Sequence, residues 1–184
     1  MAAEQPLRDI ATIIIDLGMR PEEVFRMTWE NVHFNPAGKA RFGRIFNPFG
    51  KTVNARRNLS MTERVRALLE MRYEQQGRPT EGWVFPAPTK SGRIERLERQ
   101  HARALRASGV KRFVLYSLRH TMLTRLGEAG ADSFVIQEIA GHSSILVSSR
   151  YVHPTPERIE NAFAALESYN AVQQGKLNAG ERVQ

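Results

Sequence analysis

The sequence predicts a mainly α-helical domain with one small three-stranded antiparallel sheet. Three observations predict it. Apolar residues recur at helical spacing along most of the chain. Residues 29–60 break that period and read as short strands divided by Pro/Gly/Asn turns. The length of 184 residues and a hydrophobic fraction of 41% suit one domain with a real core, since domains commonly span ~100–200 residues.

In chain order, PLRDIATIIIDL (6–17) puts Leu7, Ile10, Ile13, Ile14 and Leu17 on one helical face, with Pro6 near its start and Gly18 after its end. A second helix follows in RPEEVF, where Pro21 suits the first helical position and Glu22 and Glu23 the first turn. WENVHF, KARFGRIF and ARRNLSM, separated by NPAG and NPFG, are the three strands. Ser60 and Glu63 have capping-box spacing ahead of a helix ending at Gly77. Residues 78–92 are a Pro/Gly-rich loop, and 94–108 form a basic helix. Ser117 is the expected cap of LRHTMLTRLGEAG, Asp132 of SFVIQEIAG, and Ser143 or Ser144 of ILVSSRYV, which Pro154 ends. A last helix over 156–169 carries Ile159, Phe163 and Leu166 on one face, and the polar residues 171–184 are expected to fray as a flexible tail.

The formal net charge is +8, and a globular domain this basic points to a polyanion, nucleic acid first. The cations recur through 39–66 and 90–119 rather than in one tail, as a charged face would; a merely solvated surface is the plainer alternative. There are no cysteines, which excludes disulfides, thiolate metal sites and cysteine nucleophiles. No apolar run reaches the ~18–20 residues of a membrane span, and the N-terminus lacks the basic start and apolar stretch of a signal peptide. A metal-dependent nuclease would need clustered carboxylates or histidines. The acidic residues are scattered and no histidines pair as HxxxH.

The candidate chemistry lies in four stretches. Arg20 stands between Gly18 and Pro21 at the mouth of a helix, where the dipole disfavours a cation; it either meets an anion, oriented by Glu23, or is an exposed arginine paired with Glu22 or Glu23. Lys51 sits at a hairpin tip in NPFGKTVNARR, as a solvated lysine or a mobile cation. In YSLRHT, Tyr116 and Arg119 share a helix face at i, i+3, while His120 points elsewhere and reads as structural. In GHSSILVSSRYVHP, His142 follows the helix-ending Gly141, and Tyr151 lies one to two turns past the serine caps. Combined, these residues make a reaction centre. Two arginines can fork onto one phosphate and stabilise a pentacoordinate transition state. His142 can donate a further hydrogen bond, Lys51 can protonate an alkoxide, and Tyr151 can attack phosphorus.

GMRPEEVFRMTW, GKTVNARRNLSMT, YSLRHT and GHSSILVSSRYVHP, in that order, resemble the catalytic domain of the tyrosine recombinase (phage integrase) family over roughly residues 7–166. The resemblance implies that family's fold for residues 1–170 and a site-specific DNA recombinase. It implies Arg20 and Arg119 as the catalytic arginines, Glu23 as the acidic support, Lys51 as general acid toward the 5′ hydroxyl, His142 as a phosphate ligand, and Tyr151 as the nucleophile of a 3′-phosphotyrosine link. It further implies no metal or cofactor, double-stranded DNA as partner, a synaptic tetramer on DNA (a monomer in isolation), and a cytoplasmic, nucleoid-associated bacterial or phage setting. Tyr116 departs from the pattern, in which histidine opens this box. A DNA-binding protein of the same fold that has lost strand exchange, and a type IB topoisomerase-like enzyme, are the alternative readings. The family's N-terminal core-binding domain is expected to be absent from this chain, leaving a domain that holds DNA from one side with strong salt dependence. Candidate DNA contacts are Arg56 and Arg57, and Arg96, Arg99 and Arg103, which recur with Arg93 at helical spacing. The apolar face of the final helix can pack in cis on this domain or dock on a neighbouring protomer, and the resemblance implies the latter.

Overall fold

The computed structural model describes residues 5–50 and 53–180. Two compact units are present, residues 1–152 and 153–184.

In the first unit, α1 (Leu7–Leu17) is the central element. Its predicted stripe is buried, with Ile10, Ile13 and Ile14 wholly shielded from solvent, and it packs against α2 (Pro21–Phe25), α3 (Glu63–Gln75) and α5 (Tyr116–Glu128). Asp9 is buried on the same helix, where it accepts a 2.8 Å hydrogen bond from Arg72 Nη1 of α3. The sheet runs β1 (Val32–His33), β2 (Arg44–Asn47), β3 (Arg57–Ser60), all antiparallel in that order. Val32, Ile45 and Leu59 pair across the three strands and are all buried, so one face of the sheet closes the core. Trp29 completes it, edge-on to Tyr73 at 5.3 Å and donating to Gln76 through its indole N–H.

Several helix starts differ from the sequence reading. Thr62, not Ser60, caps α3, accepting from the Val65 amide at 3.2 Å; Ser60 is still extended, paired with Arg44 in the sheet. The basic helix, α4, begins only at Glu98 and ends at Ser108. Residues 93–94 are held in extended form, because the Ile94 amide donates to Phe85 O at 3.1 Å. Arg93 and Arg96 therefore lie off the helix, and Arg93 pairs with Glu22 at 3.2 Å. Ser117 is inside α5, which starts at Tyr116 without a side-chain cap. Two expected caps hold: Asp132 accepts from the Phe134 and Val135 amides of α6 (Ser133–Ala140), and Ser144 from Leu146 of α7 (Ile145–Ser149).

A smaller core of Leu123, Ile136 and Ala140 joins α5 to α6, with Met122, Leu126, Tyr151 and Val152 packed against it. The second unit contains α8 (Pro156–Gly180). It extends beyond the expected 156–169, into a stretch where Ala171, Gln173 and Gln174 are good helix formers. Among the described residues no helix is long and apolar enough to cross a membrane.

Ile13→Ala empties the middle of α1 and is expected to cost about 2–5 kcal/mol of unfolding free energy. Urea denaturation measures it; a loss below 1 kcal/mol would contradict the placement of α1 at the centre of the core.

Candidate active site

The site forms around the carboxyl end of α6. A helix leaves its last carbonyls without intrahelical partners, and the dipole makes that end partially negative. Here Gly141 terminates α6 at φ 64°, and three arginines from three other elements supply the missing donors. Arg57 Nε donates to Ile139 O at 2.7 Å. Arg119 Nη2 donates to Ala140 O at 2.8 Å, and Arg20 Nη1 to the same oxygen at 3.3 Å. Arg20 Nη2 donates to Gly141 O at 3.2 Å. Arg119 also reaches Gly18 O, at the end of α1. Gly141 is required twice over: its φ is left-handed, and a Cβ there would lie 2.8 Å from Asn54 O and 2.9 Å from Arg57 Nη1.

Glu23 holds the arginines in register. Its carboxylate accepts a forked pair from Arg57, both at 3.0 Å. It also accepts from Arg20 Nη1 at 2.9 Å and from the Arg20 amide at 2.8 Å. Asn47, buried on β2, braces the cluster by donating to Ala55 O at 2.8 Å and to Glu23 at 3.3 Å. Burial would raise the Glu23 pKa, but the hydrogen bonds and charge of Arg57, and the amide and charge of Arg20, outweigh it and hold the carboxyl below its ordinary value.

Three guanidinium groups against one carboxylate leave net positive charge in a shielded place. Arg119 is fully buried; burial and then Arg20 bring its pKa down to about 10, still cationic at neutral pH. Its Nε is buried and has no hydrogen-bond partner among the described residues. His142 faces the same field. Burial, then Arg119, Arg20, Arg57 and His120, bring it down to about 4, so it is neutral at pH 7. Arg119 Nη2, which can only donate, lies 3.1 Å from His142 Nε2. Nε2 is therefore the acceptor, and Nδ1 carries the hydrogen toward Ser148 Oγ at 2.9 Å. Both ring nitrogens are thus engaged within the protein, and the ring orients Arg119.

Tyr151 follows α7 and is half-buried. Its ring stacks parallel to that of His142, with centroids 6.3 Å apart. Its backbone lies on α5 where Gly127 leaves room: a Cβ at 127 would stand 1.8 Å from Tyr151 O. Two turns earlier on that face, His120 Nδ1 lies 2.6 Å from the Tyr151 hydroxyl. His120 is thus at the site, contrary to its structural reading. Tyr116 meets His120 edge-on at 4.9 Å; the pairing that matters is i, i+4 within α5, not the i, i+3 pairing with Arg119. Burial raises the Tyr151 pKa and Tyr116 adds to this, while Arg119 and Arg150 oppose it.

Of the expected site residues, Arg20, Glu23, Arg119, His142 and Tyr151 are brought together, and Tyr116 adjoins them through His120. Lys51 lies outside the described residues; Asn54, further along the same connection, donates to His142 O at 3.3 Å. Arg57 is not a surface DNA contact, being buried beneath Glu23. Arg56, Arg96, Arg99 and Arg103 are exposed. Among the described residues no group of three or more His, Asp or Glu side chains could hold a metal ion.

The Phage integrase family model matches residues 2–158. The chain belongs to the phage integrase family. Among its curated relatives is the tyrosine recombinase XerC of Corynebacterium glutamicum, 29% identical over 169 residues, which cover 87% of this chain and 51% of that protein. This phage integrase family member thus spans about half the length of that relative. In fold it is similar to the XerA recombinase crystal structure, with TM-score 0.63, 19% identity, and coverage of 89% of this chain and 57% of that one. It is similar also to the Tn1549 transposon integrase in complex with circular intermediate DNA, with TM-score 0.62, 20% identity, and coverage of 88% and 60%.

The pH dependence of stability follows from these charges. His142 binds a proton near pH 6.5 when unfolded but only near 4 when folded, so the unfolded state takes up more protons between those values and stability falls on acidification. Glu23, depressed in the fold, adds a further loss below about 4.3. Urea midpoints measured from pH 7 to pH 4 are expected to decline, and the decline to be shallower in His142→Gln. An equal slope in the variant would contradict the buried, neutral state of His142.

Proposed function

We propose that this chain is the catalytic part of a site-specific DNA recombinase that cuts and rejoins DNA through a 3′-phosphotyrosine. One observation carries the reading: the Tyr151 ring lies against the Arg119–His142 pair, beside a shielded cationic cluster that includes a buried guanidinium nitrogen without a partner. A phosphodiester fits that cluster. It is a tetrahedral anion whose charge rises as phosphorus is attacked, and preorganised guanidinium donors stabilise such a state.

In this mechanism Arg20 and Arg119 grip the non-bridging oxygens, held in place by the α6 carbonyls, Glu23 and His142. The Tyr151 oxygen attacks phosphorus. The 5′ oxygen departs with a proton from Lys51. The phosphotyrosine keeps the bond energy until a 5′ hydroxyl of a partner strand attacks, so ligation needs no high-energy cofactor. Double-stranded DNA is the substrate, bound along the basic surface that includes Arg56, Arg96, Arg99 and Arg103, and exchange takes place in a synaptic tetramer. The relatives named recombinase and integrase, one of them in complex with DNA, support this. Tyr116, in place of the histidine that the family resemblance leads one to expect, favours the second reading, a DNA-binding protein that has lost strand exchange.

Covalent trapping separates the two. The chain is incubated with a random library of nicked duplexes in EDTA and denatured in SDS. A protein–DNA adduct is expected with the native sequence and not with Tyr151→Phe. Salt-sensitive binding without an adduct would favour the second reading.

A further inference from the structure

We propose that His120 is the general base for Tyr151, receiving the phenolic proton on Nδ1 as the tyrosine attacks phosphorus. The proposal rests on the recombinase reading above and assigns a step in it.

The geometry singles out His120. Its Nδ1 is 2.6 Å from the Tyr151 hydroxyl, inside the range for proton transfer. Among the described residues no other side chain is shown hydrogen-bonded to that oxygen. The other groups facing it are unsuited to the task. Arg119 is a donor held by backbone carbonyls. His142 has Nε2 occupied by Arg119 and Nδ1 by Ser148, and burial and then the surrounding cations hold it near 4, which makes it a weak base. Tyr116 offers only a second phenol. Arg150 is cationic and follows α7.

The fold also fixes the approach. His120 and Gly127 share one face of α5, two turns and so about 10 Å apart. Gly127 admits the Tyr151 backbone at one end, and His120 meets its hydroxyl at the other. Tyr116, one turn before His120, lies edge-on against the imidazole at 4.9 Å and restrains the ring. In this chain Tyr116 is thus a positioning residue.

The step balances as follows. The Tyr151 O–H bond breaks, its proton passes to His120 Nδ1, and the phenolic oxygen bonds phosphorus. The P–O5′ bond breaks with its electron pair on the 5′ oxygen, which is protonated by the general acid. His120 is solvent-exposed, so the proton exchanges with water, and on religation an imidazolium returns it to the departing phenol.

The test uses duplexes selected by trapping with the native chain, and measures the single-turnover rate of adduct formation. His120→Ala is expected to lower that rate about 10²–10⁴-fold, with DNA affinity unchanged and part of the rate restored by added imidazole. On a duplex with a 5′-bridging sulfur, whose leaving group needs no acid, the defect should persist. The proposal is overturned if His120→Ala keeps the native rate, if imidazole leaves the variant unimproved, or if the sulfur substrate abolishes the defect. If the native chain forms no adduct, or Tyr151→Phe forms one, the recombinase reading itself fails.

Discussion

Ile139, Ala140 and Gly141 end α6 with carbonyls that the helix cannot satisfy, and Arg57, Arg20 and Arg119 converge on them from β3, the start of α2, and α5. The rest of the site depends on this junction. It ties the sheet, the N-terminal helices and the α5–α6 pair to one point, and it does so with cations rather than apolar side chains. Glu23 offsets one charge and aligns two of the three guanidinium groups. The buried ions are tolerable because nearly every donor has a defined acceptor, and the exception, Arg119 Nε, lies within the cationic cluster.

The electrostatic consequences reach both titratable partners. A neutral His142 orients Arg119 instead of competing with it, and remains neutral because it is buried and the arginines surround it. Tyr151 receives opposing influences: burial makes its proton harder to remove, and Arg119 and Arg150 make it easier. Cationic surroundings alone do not free the phenol, and a nearby imidazole supplies what they lack. In the proposed mechanism the cluster holds the phosphate and leaves proton transfer to a group on its edge, His120 on the exposed side of α5.

Much of this was legible in the chain. The α1 stripe, the three strands and the Asp132 and Ser144 caps follow from periodicity and local hydrogen-bonding chemistry, which depend on near neighbours. The five clustered residues Arg20, Glu23, Arg119, His142 and Tyr151 were visible through motif order. What escaped was set by tertiary position. Arg57 read as a DNA contact because arginines are usually exposed, yet it stands two residues before Leu59 on β3 and so shares the core-facing side; that period of two was the available signal. His120 was set aside because it is offset from Arg119 around the helix, although its i, i+4 relation to Tyr116 placed those two rings together. Asn47 and Ser148 carried no signal, since their partners, Ala55 O and His142, are met only in the folded chain. The late start of α4 has the same origin, a backbone hydrogen bond from Ile94 to Phe85 that local propensity does not contain.

The proposed function requires that the arginines at the end of α6 form a cationic cluster able to hold a tetrahedral anion. The most direct measurement is the NMR titration of the His142 ring, with and without sulfate, which stays a dianion across the range. The free chain should titrate near 4, and sulfate should move the midpoint upward by offsetting Arg20, Arg57 and Arg119. A midpoint near the ordinary 6.5 in the free chain, or one that sulfate leaves unmoved, would contradict it.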